Sequence, residues 1–251
     1  MSMVKKIAAL MLLCALLLPA AGFGERGVEY VEGARCFPDE ENWTYRFEYR
    51  YPHLIALNDS DAAAFMVNET MDTVMREMLE LVIPMFAHSD VMTEDGQVIV
   101  RQTYEVTALT ERIFSVLMTR REERDGEEHV TLEGTTFDVG GEYAGEMLTL
   151  RGLVRVADSS DQLGRAVLPV LWEKYRALEA EGEVLAITDE EAFLDAAAPT
   201  MDFVADGEEN AVFFFQPSLF QGEYRGPRTV TLTPAELEAL AENVPAEDNE
   251  Y

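Results

Sequence analysis

The chain has 251 residues and a formal charge of −29, from 48 Asp and Glu against 19 Lys and Arg. An envelope this negative repels phosphate backbones, which excludes nucleic-acid binding and disfavours anionic membrane surfaces, while it draws in cations and basic proteins. With 48% apolar residues the chain has material for a sizeable core and is not a disordered polyelectrolyte; the charge also has the plain role of keeping it soluble.

The opening stretch MSMVKKIAALMLLCALLLPAAGFG places two lysines ahead of an apolar run from Ile7 to Leu18, then Pro19 and small residues at Ala20, Ala21, Gly22 and Gly24. This is the order of a secretory signal peptide over 1–24, cleaved after Gly22 or Gly24, with an uncleaved membrane anchor as the alternative. Bulky Leu13 ahead of Cys14 argues against a lipoprotein cysteine. After cleavage only Cys36 remains, so no intramolecular disulfide forms. Cys36 reads as a small, half-buried side chain on a strand; a mixed disulfide, a dimer link or a nucleophile are its functional alternatives. The mature chain reads as one secreted or cell-surface domain over 25–240, with 25–108 and 109–240 as sub-halves if it divides. An acidic, proline-broken tail over 241–251 is expected to fray.

WTYRFEYRY, from Trp43 to Tyr51, alternates strictly, so Tyr45, Phe47, Tyr49 and Tyr51 share one face of a strand, as core or as a ligand platform. A helix follows, with Val67, Met71, Val74, Met78 and Val82 at helical spacing. Asp59 or Ser60 is its expected cap, Asp61 suits its positive end, and Pro84 marks its end or a kink. Its Met66, Met71, Met75 and Met78 face is core or an adaptable binding surface. QVIVRQTYEVTAL, RIFSVLMTRREE and EEHVTLEGTTFDV predict an antiparallel meander with a hairpin at Asp125-Gly126. EMLTLRGL, after a turn at Gly140-Gly141, predicts a further short strand. A second helix is expected over 159–180, with Leu163, Val167, Val170, Leu171, Tyr175 and Leu178 on its apolar face and Pro169 discordant. A third spans 189–198. MDFVADGEENAVFFFQP predicts a hairpin, and RTVTLTPAEL a last strand leading into a helix with Thr233 as cap and Pro234 in its first turn. The class is α+β: a mostly antiparallel sheet with helices packed on one face.

The sequence holds no phosphate-cradling glycine loop, no Gly-x-Ser-x-Gly elbow and no His-Glu-x-x-His. Its histidines, His53, His88 and His129, are far apart, and His129 is expected as a satisfied structural residue. Asp158, Asp161, Asp206, Glu208 and Glu209 lack the ordered spacing of a calcium loop and read as solvated turns. No catalytic residue, cofactor or metal is expected.

Four stretches agree in order with one extracellular domain family. YPHLIALN…VNETM resembles its N-terminal half, GEEHVTLEGTTFDV its histidine turn and following strand, GEMLTLRGLV its next segment, and VFFFQPSLFQGEYRGPRTVTLTPAEL its close. The family occurs in the extracytoplasmic part of RsiV-type anti-sigma factors, which sense lysozyme, and as the non-catalytic N-terminal part of PdaC-type peptidoglycan deacetylases. The chain departs from the family pattern at Ser218 and at Gly222-Glu223, and neither a sigma-binding segment ahead of Ile7 nor a deacetylase domain is expected of it. The resemblance implies a secreted, sensor-like binding domain for a cell-envelope component or a basic protein such as lysozyme. It implies Pro217, Ser218, Phe220, Tyr224, Gly226 and Pro227 as partner-binding residues. Phe220 and Tyr224 are expected either as contact anchors on an exposed loop or, for Phe220, folded back onto the core. An envelope hydrolase with His129 or His53 as base beside a carboxylate, and a structural accessory protein, are the alternatives.

Overall fold

The structure is a computed structural model that describes residues 26–88, 97–124, 126–140, 143–154, 160–199 and 202–242. The expected signal peptide, Asp125, Gly141, Asp158, the side chains of His88 and Asp161, and residues 243–251 of the tail lie outside the described residues.

Among the described residues eight strands form two sheets. The larger runs β1-β2-β3-β4-β5, from Val28–Phe37, Tyr45–Leu54, Val98–Leu109, Ile113–Arg124 and Glu127–Asp138. All its pairs are antiparallel except β2 with β3. A parallel pair needs a long crossover, supplied here by α1 (Ala62–Glu77), a π-helical turn over Met78–Val82, and α2 (Ile83–His88). The smaller sheet is antiparallel, in order β6 (Phe203–Ala205), β7 (Ala211–Phe215) and β8 (Arg228–Leu232). The chain is thus α+β, with the expected meander at β3–β5, and its strands are divided between two sheets. Among the described residues no helix is long and apolar enough to cross a membrane.

The aromatic ladder of β2 is core. Tyr45, Phe47 and Tyr51 are buried with Val67, Met71 and Met75 of α1, while Tyr49 is partly covered. The methionine face therefore splits: Met71 and Met75 fill the core and Met66 stays exposed. The cap of α1 is Asp61 rather than the expected Asp59 or Ser60: its carboxylate accepts from Ala64 N–H at 3.2 Å. The same carboxylate pairs with Arg26 at 2.8 Å and accepts from Leu57 N–H at 3.0 Å, which holds it at the helix start. Pro84, which has no N–H to donate, sits just past the π turn, and the helix resumes through it. Cys36 lies partly buried and unpaired on β1.

Leu150, Leu153 and Val154 are buried at helical spacing in α3 (Leu150–Val154). This corrects the strand expected over EMLTLRGL, whose strand character is limited to a single bridge from Met147 to Phe137. α4 (Ser160–Ala177) buries Leu163, Val167, Leu171 and Tyr175, and it continues through Pro169. α5 (Glu190–Ala196) is capped by Asp189. α6 (Pro234–Glu242) opens with reciprocal bonds between Thr233 and Glu236, a capping box. α3 to α6 pack on the second sheet through Phe193, Phe213, Phe215 and Leu237, whereas α1 serves the first sheet.

The sheets meet along β4 and β5. Phe114 and Val116 of β4 turn to the α1 side, and Leu117 joins Leu132 of β5, Val204 of β6 and Phe214 of β7 in a separate cluster. At the same junction the buried Ser115 Oγ accepts the Ala205 N–H at 2.9 Å and lies 2.8 Å from Thr136 Oγ1. Replacing Ser115 with Ala would leave the Ala205 N–H buried and unpaired. We expect a loss of about 1–3 kcal/mol by chemical denaturation, and a loss under about 0.5 kcal/mol would contradict this junction.

Candidate functional site

β7 ends in Phe213, Phe214 and Phe215, all buried, because successive side chains enter different clusters: Phe213 and Phe215 face the helices, and Phe214 faces β5. The next residue, Gln216, places its carboxamide on the edge of β5. Its Oε1 accepts from Leu132 N–H at 3.1 Å, and its Nε2 donates to Leu132 C=O at 2.8 Å. The second Nε2 hydrogen goes to Asp202 Oδ1 at 2.7 Å. Asp202 is buried and also accepts from Ala198 N–H at 3.3 Å. Burial raises its carboxyl to about 6; the bonds from Gln216 and Ala198 oppose that rise and Glu133 adds to it.

Pro217 to Leu219 form a 3-10 turn, and the chain then docks on the segment before α5. Ala186 N–H donates to Leu219 C=O and Gln221 N–H to Val184 C=O, each at 2.8 Å. Tyr175 OH, buried in α4, donates to the same Leu219 carbonyl. Phe220 takes the inward of its two expected placements. It is 8% exposed and packs edge-on against Tyr175, with ring centres 5.5 Å apart. Arg228 covers it at 4.8 Å and makes a forked pair with Glu183, at 3.2 and 2.9 Å. Gly222, at φ 97°, turns the chain outward where a side chain would strain the backbone. Tyr224 then returns, half buried, onto the cluster that joins the sheets. Arg121 lies 5.2 Å over its ring and pairs with Glu128 at 3.1 Å.

Between this loop and β5 lies a cavity of about 510 Å³. One wall is the run Glu128, His129, Val130 and Thr131. Consecutive strand side chains point to opposite faces, so the feature these four share is the strand's edge, and the cavity runs along it. The other wall includes Gln216, Pro217, Ser218, Gly222, Glu223 and Tyr224. Of the residues singled out from sequence, Pro217, Ser218, Phe220 and Tyr224 line the cavity, and Gly226 and Pro227 lie beyond it. Glu128, Glu223 and Gln216 were not singled out.

His129 lines the cavity as an exposed side chain, 4.0 Å from Glu127, rather than as a satisfied structural histidine. His53 stands on β2 with Nε2 2.8 Å from Asp72 Oδ1 of α1, an atom that also accepts from Tyr51 OH at 2.7 Å. Burial and then this bond push the Tyr51 phenol up. Asp206 accepts from the N–H groups of Glu208 and Asn210, and Glu209 pairs with Arg112 at 2.7 Å. These acids serve a turn and an ion pair, and among the described residues no cluster of ligating side chains could hold a metal ion.

No protein-family model and no curated protein matches the chain. Among solved structures it is similar to a member of the DUF3298 family from Bacteroides fragilis, at 13% identity and a TM-score of 0.48, over 86% of this chain and 97% of that one. A likeness that distant carries no argument about the site.

Asp202 generates a prediction with a definite sign. Its folded pKa, about 6, lies above the value of 3.8 for a free carboxyl, so the folded state holds the proton more tightly. Its contribution to stability is fully present below pH 3.8 and is lost as pH rises through 6. Denaturation between pH 4 and pH 7 should show a decline of up to about 3 kcal/mol that Asp202→Asn lacks. Parallel slopes for the two proteins would contradict the raised pKa.

Proposed function

We propose that the protein is an extracytoplasmic, non-catalytic binding domain whose ligand is a cell-envelope component or a basic protein such as lysozyme. The observation that carries this reading is the cleft itself. It opens between a strand edge and the loop whose sequence resembles the closing segment of the RsiV and PdaC family, and it bears Glu128 and Glu223 in a chain of charge −29. Arg228 and Tyr175 hold the loop in place before any ligand arrives, so little ordering cost opposes binding. The acidic surface speeds the approach of a cationic partner.

A hydrolase is the second reading, favoured by the His53–Asp72 distance of 2.8 Å. Its histidine and acid sit on β2 and α1, away from the residues that line the cleft. Turnover of peptidoglycan or chitin oligomers that His53→Ala abolishes would install this reading in place of the first.

Titration with lysozyme, beside an unrelated protein of similar positive charge, tests the binding reading. From about 0.05 to 0.5 M salt, lysozyme binding should weaken yet persist while the control is lost, because surface charge is screened within a few ångströms at high salt. Loss of both together would reduce the attraction to net charge and overturn the reading.

A further inference from the structure

The edge of β5 is covered along part of its length and open along the rest. At the C-terminal end, Leu148 N–H donates to Thr136 C=O at 2.7 Å and Asp138 N–H to Glu146 C=O at 3.0 Å. In the middle, Gln216 takes both peptide groups of Leu132. Leu132, Thr136 and Asp138 are all even-numbered, so in this antiparallel ladder the even residues turn their peptide groups away from β4. Val130 and Glu128 continue the series, and they line the cavity. Among the described residues, no backbone or side-chain group is bonded to their outward N–H and C=O. The other outer strand of this sheet, β1, carries Glu29, Glu32 and Arg35, charges that discourage pairing.

We infer that the cleft binds an extended segment of a partner protein as an added strand on the open edge of β5, with a basic side chain of that segment beside Glu223. The inference deepens the binding-domain reading and rests on it. The Gln216 carboxamide already presents one C=O and one N–H as a neighbouring strand would, and the incoming segment continues from that rung. Main-chain bonds to Val130 and Glu128 give affinity, and the cavity under Tyr224 and Ser218 receives alternate side chains. The occupant is basic because both arginines beside the cavity are already paired, Arg121 with Glu128 and Arg228 with Glu183, which leaves the Glu223 carboxylate, among the described lining residues, to meet the segment.

The test uses two capped peptides about ten residues long, one alternating lysine and valine, the other alternating lysine and proline, with equal charge. The valine peptide should bind and the proline peptide, which lacks alternate N–H groups, should not. Val130→Pro removes an outward N–H without touching the β4 ladder and should weaken the valine peptide roughly tenfold. Ser218→Trp, an exposed position on the rim, should block it as well and carries the test if Val130→Pro fails to fold. Equal binding of both peptides, or valine-peptide binding that survives Ser218→Trp, overturns the inference. So does capture of a chitin oligomer in the same cleft with neither peptide bound. Lysozyme binding that Ser218→Trp leaves intact overturns strand addition while the binding-domain reading stands. Peptide capture with no lysozyme or envelope ligand bound overturns that reading alone.

Discussion

One carboxamide fixes the relation between the loop and the sheet. Gln216 has one acceptor oxygen and two N–H hydrogens, and all are committed: to Leu132 N–H, Leu132 C=O and Asp202. Its position follows from β7, whose three phenylalanines are locked into two clusters, so the residue after them has one place to go. From that point Pro217 starts the turn, Leu219 and Phe220 dock on the 184–186 segment, and Tyr224 closes over β5. Removing the carboxamide would leave a strand edge, a buried carboxyl and a loop origin without their common partner.

The polar groups around the cleft are arranged by burial and pairing rather than by net charge. Arg121 stacks over Tyr224 and holds Glu128, while Arg228 covers Phe220 and holds Glu183. The exposed Arg121–Glu128 pair contributes little to stability, generally under about 1 kcal/mol, while the forked, partly buried Arg228–Glu183 pair sets direction. They hold two aromatic rings at fixed angles to a strand edge. Tyr224 is held back from ionising by its burial, against the pull of Arg121 and Arg228, so it offers the cleft a neutral ring with a hydroxyl.

Much of the fold was legible because its signals are local. WTYRFEYRY alternates, and it is a core ladder; of the apolar stripe expected for the second helix, Leu163, Val167, Leu171 and Tyr175 are buried, while Val170 and, past the end of α4, Leu178 are partly buried against the same core. Where two local patterns compete, tertiary packing decided. Leu148 and Leu150 suggest a strand at spacing two, yet Leu150, Leu153 and Val154 are buried together as a helical face. β1 carried no clean alternation because an edge strand with glycine and charge buries little. At the site, the loop could be singled out from QPSLFQGEYRGP, but its inner wall could not. Gln216 and Leu132 lie 84 residues apart, and nothing in EEHVTLEG marks which of its peptide groups stays unpaired. Phe220 turned inward because Tyr175 and Phe215 offer an aromatic pocket assembled from two distant elements.

Amide hydrogen exchange of the unliganded protein tests the arrangement most directly. Leu132, clamped by Gln216, should exchange slowly, while Val130 and Glu128, on the same edge and facing the cavity, should exchange as open amides do. Equal protection at Leu132 and Val130 would mean that the edge of β5 is already covered, and would contradict a cleft built on its open peptide groups.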